Sequence, residues 1–346
     1  MITIDGSYGE GGGQIVRTAL ALSCVTGKAV RITNVRKNRS KPGLQPQHLT
    51  GVLACALISR AKVEGAALGS NRLVFTPGRI TGGDYTFDVE QTAGKGSAGS
   101  VSLILQAILL PLSRADAPSR IVLHGGTHVP LSPSIQYLSD VFLPALRLIG
   151  VNAVIELIRW GFYPIGKGEV IARIEPSPDL RGLDWDHAGR IARTSGISAV
   201  ANLPLHIAER QREAAAQTLA AAGIRTDVRL IDAPAVGRGT FCFLNAQSHH
   251  VAGGFGALGA VGKRAEAVGR ETADACLTFV TSGANVDRHL ADQLLPYLAL
   301  AHGPSTITTE AVTTHLLTNR WVIRHFIDRD LTVDGVLGEK GRITVK

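Results

Sequence analysis

The segment Asp5-Gly6-Ser7-Tyr8-Gly9-Glu10-Gly11-Gly12-Gly13 sets five glycines within nine residues, directly ahead of a helix-like run from Gln14 to Thr26. Backbone that flexible at a helix N-terminus can turn several N–H groups towards a phosphate. The loop lacks the Gly-Lys-Ser/Thr ending of a Walker A loop, and it fits the Gly-x-Gly-x-x-Gly fingerprint poorly. It carries a carboxylate instead. Glu10 would repel a phosphate at close range unless a divalent cation such as Mg²⁺ lay between them. A tight turn with an exposed glutamate accounts for the same residues without any ligand. Arg17, one turn into the helix, and the basic run Arg31, Arg36, Lys37, Arg39 and Lys41 could meet Glu10 on one surface. The planar fork of arginine suits phosphate. That run contains no aromatic residue, so it speaks for phosphate contacts more than base stacking, or simply for a solvated loop.

Two more glycine-led segments precede helices. Gly94 to Ser100 leads into the apolar run Val101 to Leu112, which holds Gln106 in its interior, and Gly125-Gly126-Thr127 precedes a helix starting near Pro133-Ser134. A lone glutamine in such a helix is usually a buried, satisfied group. Three helix starts of this kind suggest a shared anion-binding cleft. A nucleophile or acid/base group is best sought among the histidines, because there is no Gly-x-Ser-x-Gly elbow and Cys24, Cys55, Cys242 and Cys276 stand isolated. Spacing does not choose among the eleven histidines. His249-His250 offers no third ligand, and adjacent side chains point differently.

The elements that must position these groups recur along the chain. Strand-like Ile2 to Ile4, the glycine loop and the helix ending at Gly27 open it. A pattern of helix, strand, glycine turn and strand then appears at 49–75, 138–172, 210–243 and from His315 to Val345. Its irregular spacing excludes a solenoid and predicts repeated α/β units, each packing helices on one sheet. The copy between about 184 and 279 is alanine-rich and polar, and linker-like Pro176-Ser177-Pro178 and Thr281-Ser282-Gly283 flank it. It reads as an inserted domain of about 184–279, with 1–183 and 280–346 forming the larger one.

At 346 residues, 45% hydrophobic and 18% charged, the chain is neither disordered nor low-complexity, and it is long enough for two domains or one large one. The scattered cysteines exclude a disulfide framework and a zinc ribbon, which points to the reducing cytoplasm. There is no export signal and no apolar run of membrane-spanning length, so a soluble cytoplasmic protein is expected. The net charge of +8 favours an anionic partner such as nucleotide or nucleic acid.

The stretch from Asp5 to Arg17, followed by Arg36-Lys37-Asn38-Arg39-Ser40-Lys41-Pro42-Gly43-Leu44-Gln45-Pro46-Gln47-His48, closely resembles the RNA 3'-terminal phosphate cyclase family. Gly99-Ser100 leading to Gln106, Gly125-Gly126-Thr127, Gly161-Phe162-Tyr163-Pro164, Asp292-Gln293 and Thr314-His315-Leu316-Leu317-Thr318-Asn319 extend the resemblance over essentially the whole chain. It implies an α/β (α+β) fold: a large domain of three repeated α/β units like the C-terminal domain of a bacterial translation initiation factor, interrupted by a smaller α/β insert. It also implies an ATP-dependent enzyme that converts an RNA 3'-terminal phosphate to a 2',3'-cyclic end through an adenylated histidine. By position that histidine is His315. Glu10 would hold Mg²⁺ or Mn²⁺ against the ATP phosphates. Gln106, Pro133 and the stretch His289, Leu290, Ala291, Asp292 and Gln293 would contact the nucleotide. Arg17, Arg36, Arg39, Gln47 and His48 would bind the triphosphate or the RNA terminal phosphate. Relatives usually carry a stacking tyrosine where this chain has His289, which implies altered purine preference. A non-catalytic relative would lack His315, and an enolpyruvyl-transferase-like enzyme would form no adenylate. Monomer and homodimer both remain open, with no membrane partner expected.

Overall fold

The computed structural model describes residues 1–93, 98–185 and 187–346. The start of the second glycine-led segment, Gly94-Lys95-Gly96-Ser97, lies outside the described residues. The first unit runs β1 (Ile2–Asp5), α1 (Gly13–Thr26), β2 (Val30–Thr33), α2 (Pro46–Ser59), β3 (Lys62–Glu64) and β4 (Leu73–Thr76). Its sheet has the order β1-β2-β4-β3, with β1 parallel to β2 and the other pairs antiparallel. The apolar face of α1 (Ile15, Val16, Ala19, Leu20, Leu22) is buried in the core together with Ile4, Ile32 and Phe75 of the strands. The helix ends at Gly27, whose φ of 69° is left-handed and therefore suits glycine.

The second unit repeats that topology. It comprises β5 (Gly83–Asp88), α3 (Val89–Ala93), α4 (Val101–Ser113) and β6 (Ser119–Gly125), then α5 (Ile135–Tyr137), which passes through a π-helical turn (Leu138–Phe142) into α6 (Leu143–Ile149), and finally β7 (Ala153–Arg159) and β8 (Gly168–Ile174). The order is β5-β6-β8-β7, again with one parallel pair.

Next come β9 (Arg193–Ala201), α7 (His206–Ala221), β10 (Arg225–Asp232), β11 (Gly239–Ser248), β12 (Val251–Leu258) and α8 (Ala265–Ser282). Here the order is β10-β9-β11-β12. The helix-strand-strand pattern at 210–243 is the one seen elsewhere, but its two strands do not pair with each other: β9 lies between them, parallel to β10 and antiparallel to β11. The alternation along β11 explains how this layer is held on both faces. Phe241 and Phe243 face the large core, whereas Cys242 and Leu244 join a second core with Leu219, Val268, Cys276 and Phe279. All four cysteines are buried free thiols.

The chain closes with α9 (Arg288–Leu300), β13 (Ser305–Thr309), α10 (Thr314–Phe326), β14 (Leu331–Asp334) and β15 (Gly341–Val345), in a sheet of order β13-β15-β14. A fourth segment completes it. Arg181 and Asp184 bridge in parallel to His302 and Thr306, as β1 does to β2, with Trp185 N–H donating to the Thr306 carbonyl at 2.7 Å. The third unit is thus interrupted between its first strand-like segment and its first helix. Among the described residues no helix is long and apolar enough to cross a membrane.

Candidate active site

The glycine loop is fixed at its base by Asp5, whose Oδ1 accepts from Ser7 N–H (2.9 Å), Ser7 Oγ (2.7 Å) and Asn34 Nδ2 (3.1 Å). These bonds hold the Asp5 carboxyl below its usual range. Gly9 and Gly11 have φ of 55° and 59°, a conformation that a side chain would strain. Tyr8 stacks on Trp321 of α10 with ring centroids 3.9 Å apart, which ties the loop to a helix more than three hundred residues away. Thr313 caps α10 by accepting from Leu316 N–H at 3.0 Å, and so places His315 in the first turn. Glu10 reaches two partners across this junction. Its Oε1 pairs with Arg39 Nη2, and its Oε2 lies against His315 Nε2.

Burial lowers the pKa of His315; Asp292 opposes that shift, while Arg17 and Arg39 reinforce it. Its imidazole is therefore neutral at neutral pH and keeps a lone pair, as a nucleophile requires. Arg17 has no hydrogen bond or ion pair among the described residues. Burial brings its pKa down to about 10, with Asp292 favouring the charged form, so it remains a cation. A cation held this way suits an incoming anion. Arg17, Gln47 and His48 line one cleft with Leu103 and Ala107.

Besides Arg39, which is paired with Glu10, three more of the sequence-predicted phosphate ligands have structural partners. Gln47 Oε1 accepts from the Ser100 backbone N–H at 3.1 Å and pins α2 to the start of α4. His48 Nδ1 accepts from Gln45 N–H at 3.2 Å, which assigns its proton to Nε2, and that side of the ring occupies the space a Cβ on Gly13 would need. Burial, then Arg36 and Arg17, push its pKa down to about 3. Arg36, at φ 54°, turns Nη1 into its own loop, donating to the carbonyls of Lys41 (2.6 Å) and Gly43 (3.0 Å).

A polar network joins the three helices behind His315. Gln14 Nε2 donates to Asp292 Oδ2, Asn319 Nδ2 donates to the Asp292 carbonyl at 2.6 Å, and Thr18 Oγ donates to Asn319 Oδ1 at 2.6 Å. Burial pushes the Asp292 carboxyl up to about 7, while His315 and Arg17 act the other way. Asp287 caps α9 by accepting from His289 N–H (2.8 Å) and Leu290 N–H (2.9 Å). His289 is exposed, whereas Leu290 and Ala291 point into the core and can offer a ligand only backbone. Gln106 Nε2 and Gln293 Oε1 are buried without hydrogen-bond partners among the described residues. Pro133 sits beside the start of α4, its carbonyl accepting from Ser102 Oγ at 2.7 Å.

Gly125-Gly126-Thr127 is not an open anion cradle. Gly126 N–H donates to Gly99 O and Thr127 N–H to Gly161 O, both at 2.9 Å, because these loops pair edge to edge. Sequence reasoning assigned no role to Gln14, Thr18 or Asn319. The signal for Asn319 was available: it lies four residues after His315, on the same helical face.

Glu10 Oε2 is buried and faces His315 Nε2, and a carboxylate oxygen so placed is an acceptor suited to a divalent cation. Among the described residues no group of three or more His, Cys, Asp or Glu could hold a metal by itself. One carboxylate completed by phosphate oxygens and water is a usual Mg²⁺ arrangement, so the residues fit such an ion.

The sequence pattern of RNA 3'-terminal phosphate cyclase matches residues 8–333. The chain belongs to the RNA 3'-terminal phosphate cyclase family. Relatives bearing that name include one from Methylococcus capsulatus, 47% identical over 328 residues, covering 94% of this chain and 91% of the relative. Another, from Archaeoglobus fulgidus, is 44% identical and covers 97% and 98%. A third, from Pyrococcus furiosus, is 42% identical and covers 100% and 98%. A solved structure of the enolpyruvyl transferase NikO from Streptomyces tendae aligns with a TM-score of 0.28 at 15% identity, covering 63% of this chain and 37% of that one, values that bear on neither fold nor function.

Proposed function

We propose that the protein converts an RNA 3'-terminal phosphate to a 2',3'-cyclic phosphodiester at the expense of ATP. His315 attacks the α-phosphorus of ATP and pyrophosphate leaves; the adenylyl group then passes to the RNA 3'-phosphate. The neighbouring 2'-hydroxyl attacks that activated phosphorus, forming the second ester bond and expelling AMP. A phosphomonoester has no good leaving group until it is adenylylated. Closure by the adjacent hydroxyl then benefits from effective molarities of roughly 10⁵ to 10⁸ M. The need for a 2'-hydroxyl selects RNA over DNA.

The observation that carries this reading is the contact of a neutral His315 with Glu10 inside the glycine loop. Glu10 is the carboxylate that would hold Mg²⁺ or Mn²⁺, which when bound neutralises charge on the phosphates. Arg17 and Arg39 are the cations whose charge acts on His315, and they would receive the triphosphate or the RNA terminal phosphate. Gln106 and Gln293 carry the unsatisfied amide groups that would meet the nucleotide. We further read a catalytic domain interrupted by an insert, because a second core forms under β11 and α8; Asp184 and Trp185 pair with Thr306 and α8 runs to Ser282, so both edges of the insert lie a few residues beyond the expected 184 and 279. The test is a 3'-phosphorylated oligoribonucleotide labelled at its terminal phosphate and incubated with ATP and Mg²⁺. Label that becomes resistant to phosphatase with wild type but not with His315→Ala is expected. Label that stays fully phosphatase-sensitive with folded wild-type protein would overturn the reading.

A further inference from the structure

The turn between β7 and β8 carries an exposed apolar surface that the chemistry above leaves unused. Tyr163 is 67% exposed and Ile165 45%, and Val236, from the β10–β11 connection, is 58% exposed. Of the two exposed tyrosines, Tyr8 is stacked on Trp321, whereas Tyr163 has no ring against it among the described residues. Its support is rigid. Phe162 and Trp160 are buried beneath it, and His128 stacks on Trp160 at 4.0 Å with Phe241 edge-on at 4.9 Å. Gly166 N–H closes the turn on the Phe162 carbonyl at 2.8 Å. From the other side, Trp160 N–H donates to Pro234 O at 2.8 Å, and Asn202 Nδ2 holds the carbonyls of Ala235 (2.9 Å) and Gly237 (3.0 Å). Gly237 abuts Ile165, and the next residue, Arg238, is exposed with no hydrogen bond or ion pair among the described residues.

Buried, hydrogen-bonded backbone joins this turn to α2 beside the active site. Gln47 is bonded to Ser100, Ser100 bridges to Gly126, and Thr127 is bonded to Gly161, two residues before Tyr163. Neighbouring strands lie ~4.8 Å apart, so the two strand-to-strand steps from Ser100 to Gly161 span roughly 10 Å. An exposed aromatic ring with no ring against it among the described residues, near a free arginine in a protein of net charge +8, matches the needs of single-stranded nucleic acid.

We propose that Tyr163, with Ile165, Val236 and Arg238, forms a stacking platform for the unpaired bases upstream of the reacting RNA 3' end. The proposal rests on the RNA-cyclising reading above. Every base offers a π-face, so the platform holds single-stranded ends with little sequence preference.

The test compares a 3'-phosphorylated ribonucleotide dimer with a 3'-phosphorylated unstructured decamer, measuring Kd by competition and KM for cyclisation. Wild type is expected to prefer the decamer by roughly fivefold to a hundredfold, the value of one stacked base. Tyr163→Ala should collapse that ratio towards one, Tyr163→Phe should retain it, and Arg238→Ala should reduce the log-log salt slope for the decamer by about 0.7. A wild type that cyclises both RNAs without length preference, or a ratio unchanged in Tyr163→Ala, overturns the platform while leaving the cyclase reading intact. A wild type that cyclises neither RNA overturns the cyclase reading, and the platform falls with it. Loss of a bound protein from Tyr163→Ala with an unchanged RNA ratio would reassign the surface and refute the proposal.

Discussion

Asn319 is the buried amide that joins the helix bearing His315 to its two neighbours. Its Oδ1 accepts from Thr18 Oγ and its Nδ2 donates to the Asp292 carbonyl, both at 2.6 Å, and the residue is only 3% exposed. Asn319→Ala strands a buried hydroxyl on α1 and a buried carbonyl on α9. Each unsatisfied group costs ~1–3 kcal/mol, so the substitution should cost roughly 2–6 kcal/mol. Thr18→Val breaks only one of the two bonds and strands only Asn319 Oδ1, for ~1–3 kcal/mol. In the double variant the Thr18–Asn319 bond is counted once, so the combined loss should fall short of the sum by ~0.5–3 kcal/mol. Urea unfolding of the four proteins, extrapolated linearly to water, measures these terms. Because α10 also positions His315, the variant should form less enzyme adenylate even at temperatures where it is fully folded. An Asn319→Ala protein within ~0.5 kcal/mol of wild type, or strict additivity with Thr18→Val, would refute this account of the network.

The remaining expectations concern charge. Since burial and two arginines lower the pKa of His315 below its ordinary 6.5, the pH–rate profile of self-adenylylation should have its midpoint below 6.5 and fall on the acid side, where the imidazolium has no lone pair; a midpoint above 6.5 would contradict this. His128, buried and pushed down to about 3, stays neutral in the fold but binds a proton in the unfolded chain below its ordinary value of 6.5. It therefore contributes stability that is lost as pH falls from 6.5 towards 3, ~2 kcal/mol of it by pH 5, and in His128→Phe the loss of stability between pH 7 and 5 should shrink by about that amount. Arg36→Ala should lower the melting temperature, because its Nη1 holds the loop carbonyls of Lys41 and Gly43, and should change the salt dependence of RNA binding less than Arg39→Ala does. Equal salt slopes with unchanged melting would refute that assignment.

Local signals made much of the fold legible. The apolar spacing of α1 with Gly27 after it, the run from Val101 that becomes α4, and the recurring helix-strand-strand pattern all reflect preferences set within a few residues. What stayed hidden depends on distant partners. The pattern at 210–243 did not reveal that β9 separates β10 from β11, because pairing is decided by which strand the connecting helix returns to. Nor did it show that 181–185 supplies the strand-like edge beside β13. At the candidate site, the glycines and their carboxylate suggested a loop that could face phosphate, and the structure sets that carboxylate against His315. The Gln14–Asp292 and Thr18–Asn319 bonds, between residues 278 and 301 positions apart, left no trace in spacing. The inward turn of Arg36 was equally hidden, since a basic run reads alike whether its side chains face a ligand or their own backbone.

The central claim is that His315 is the group that takes the adenylyl moiety from ATP. Mass spectrometry of the intact protein after incubation with ATP and Mg²⁺, wild type beside His315→Ala, tests it most directly. An acid-labile AMP adduct on the wild type alone, mapped to the peptide containing His315, is the predicted result. The absence of an adduct from folded, ATP-binding wild type, or an undiminished adduct on His315→Ala, would contradict it.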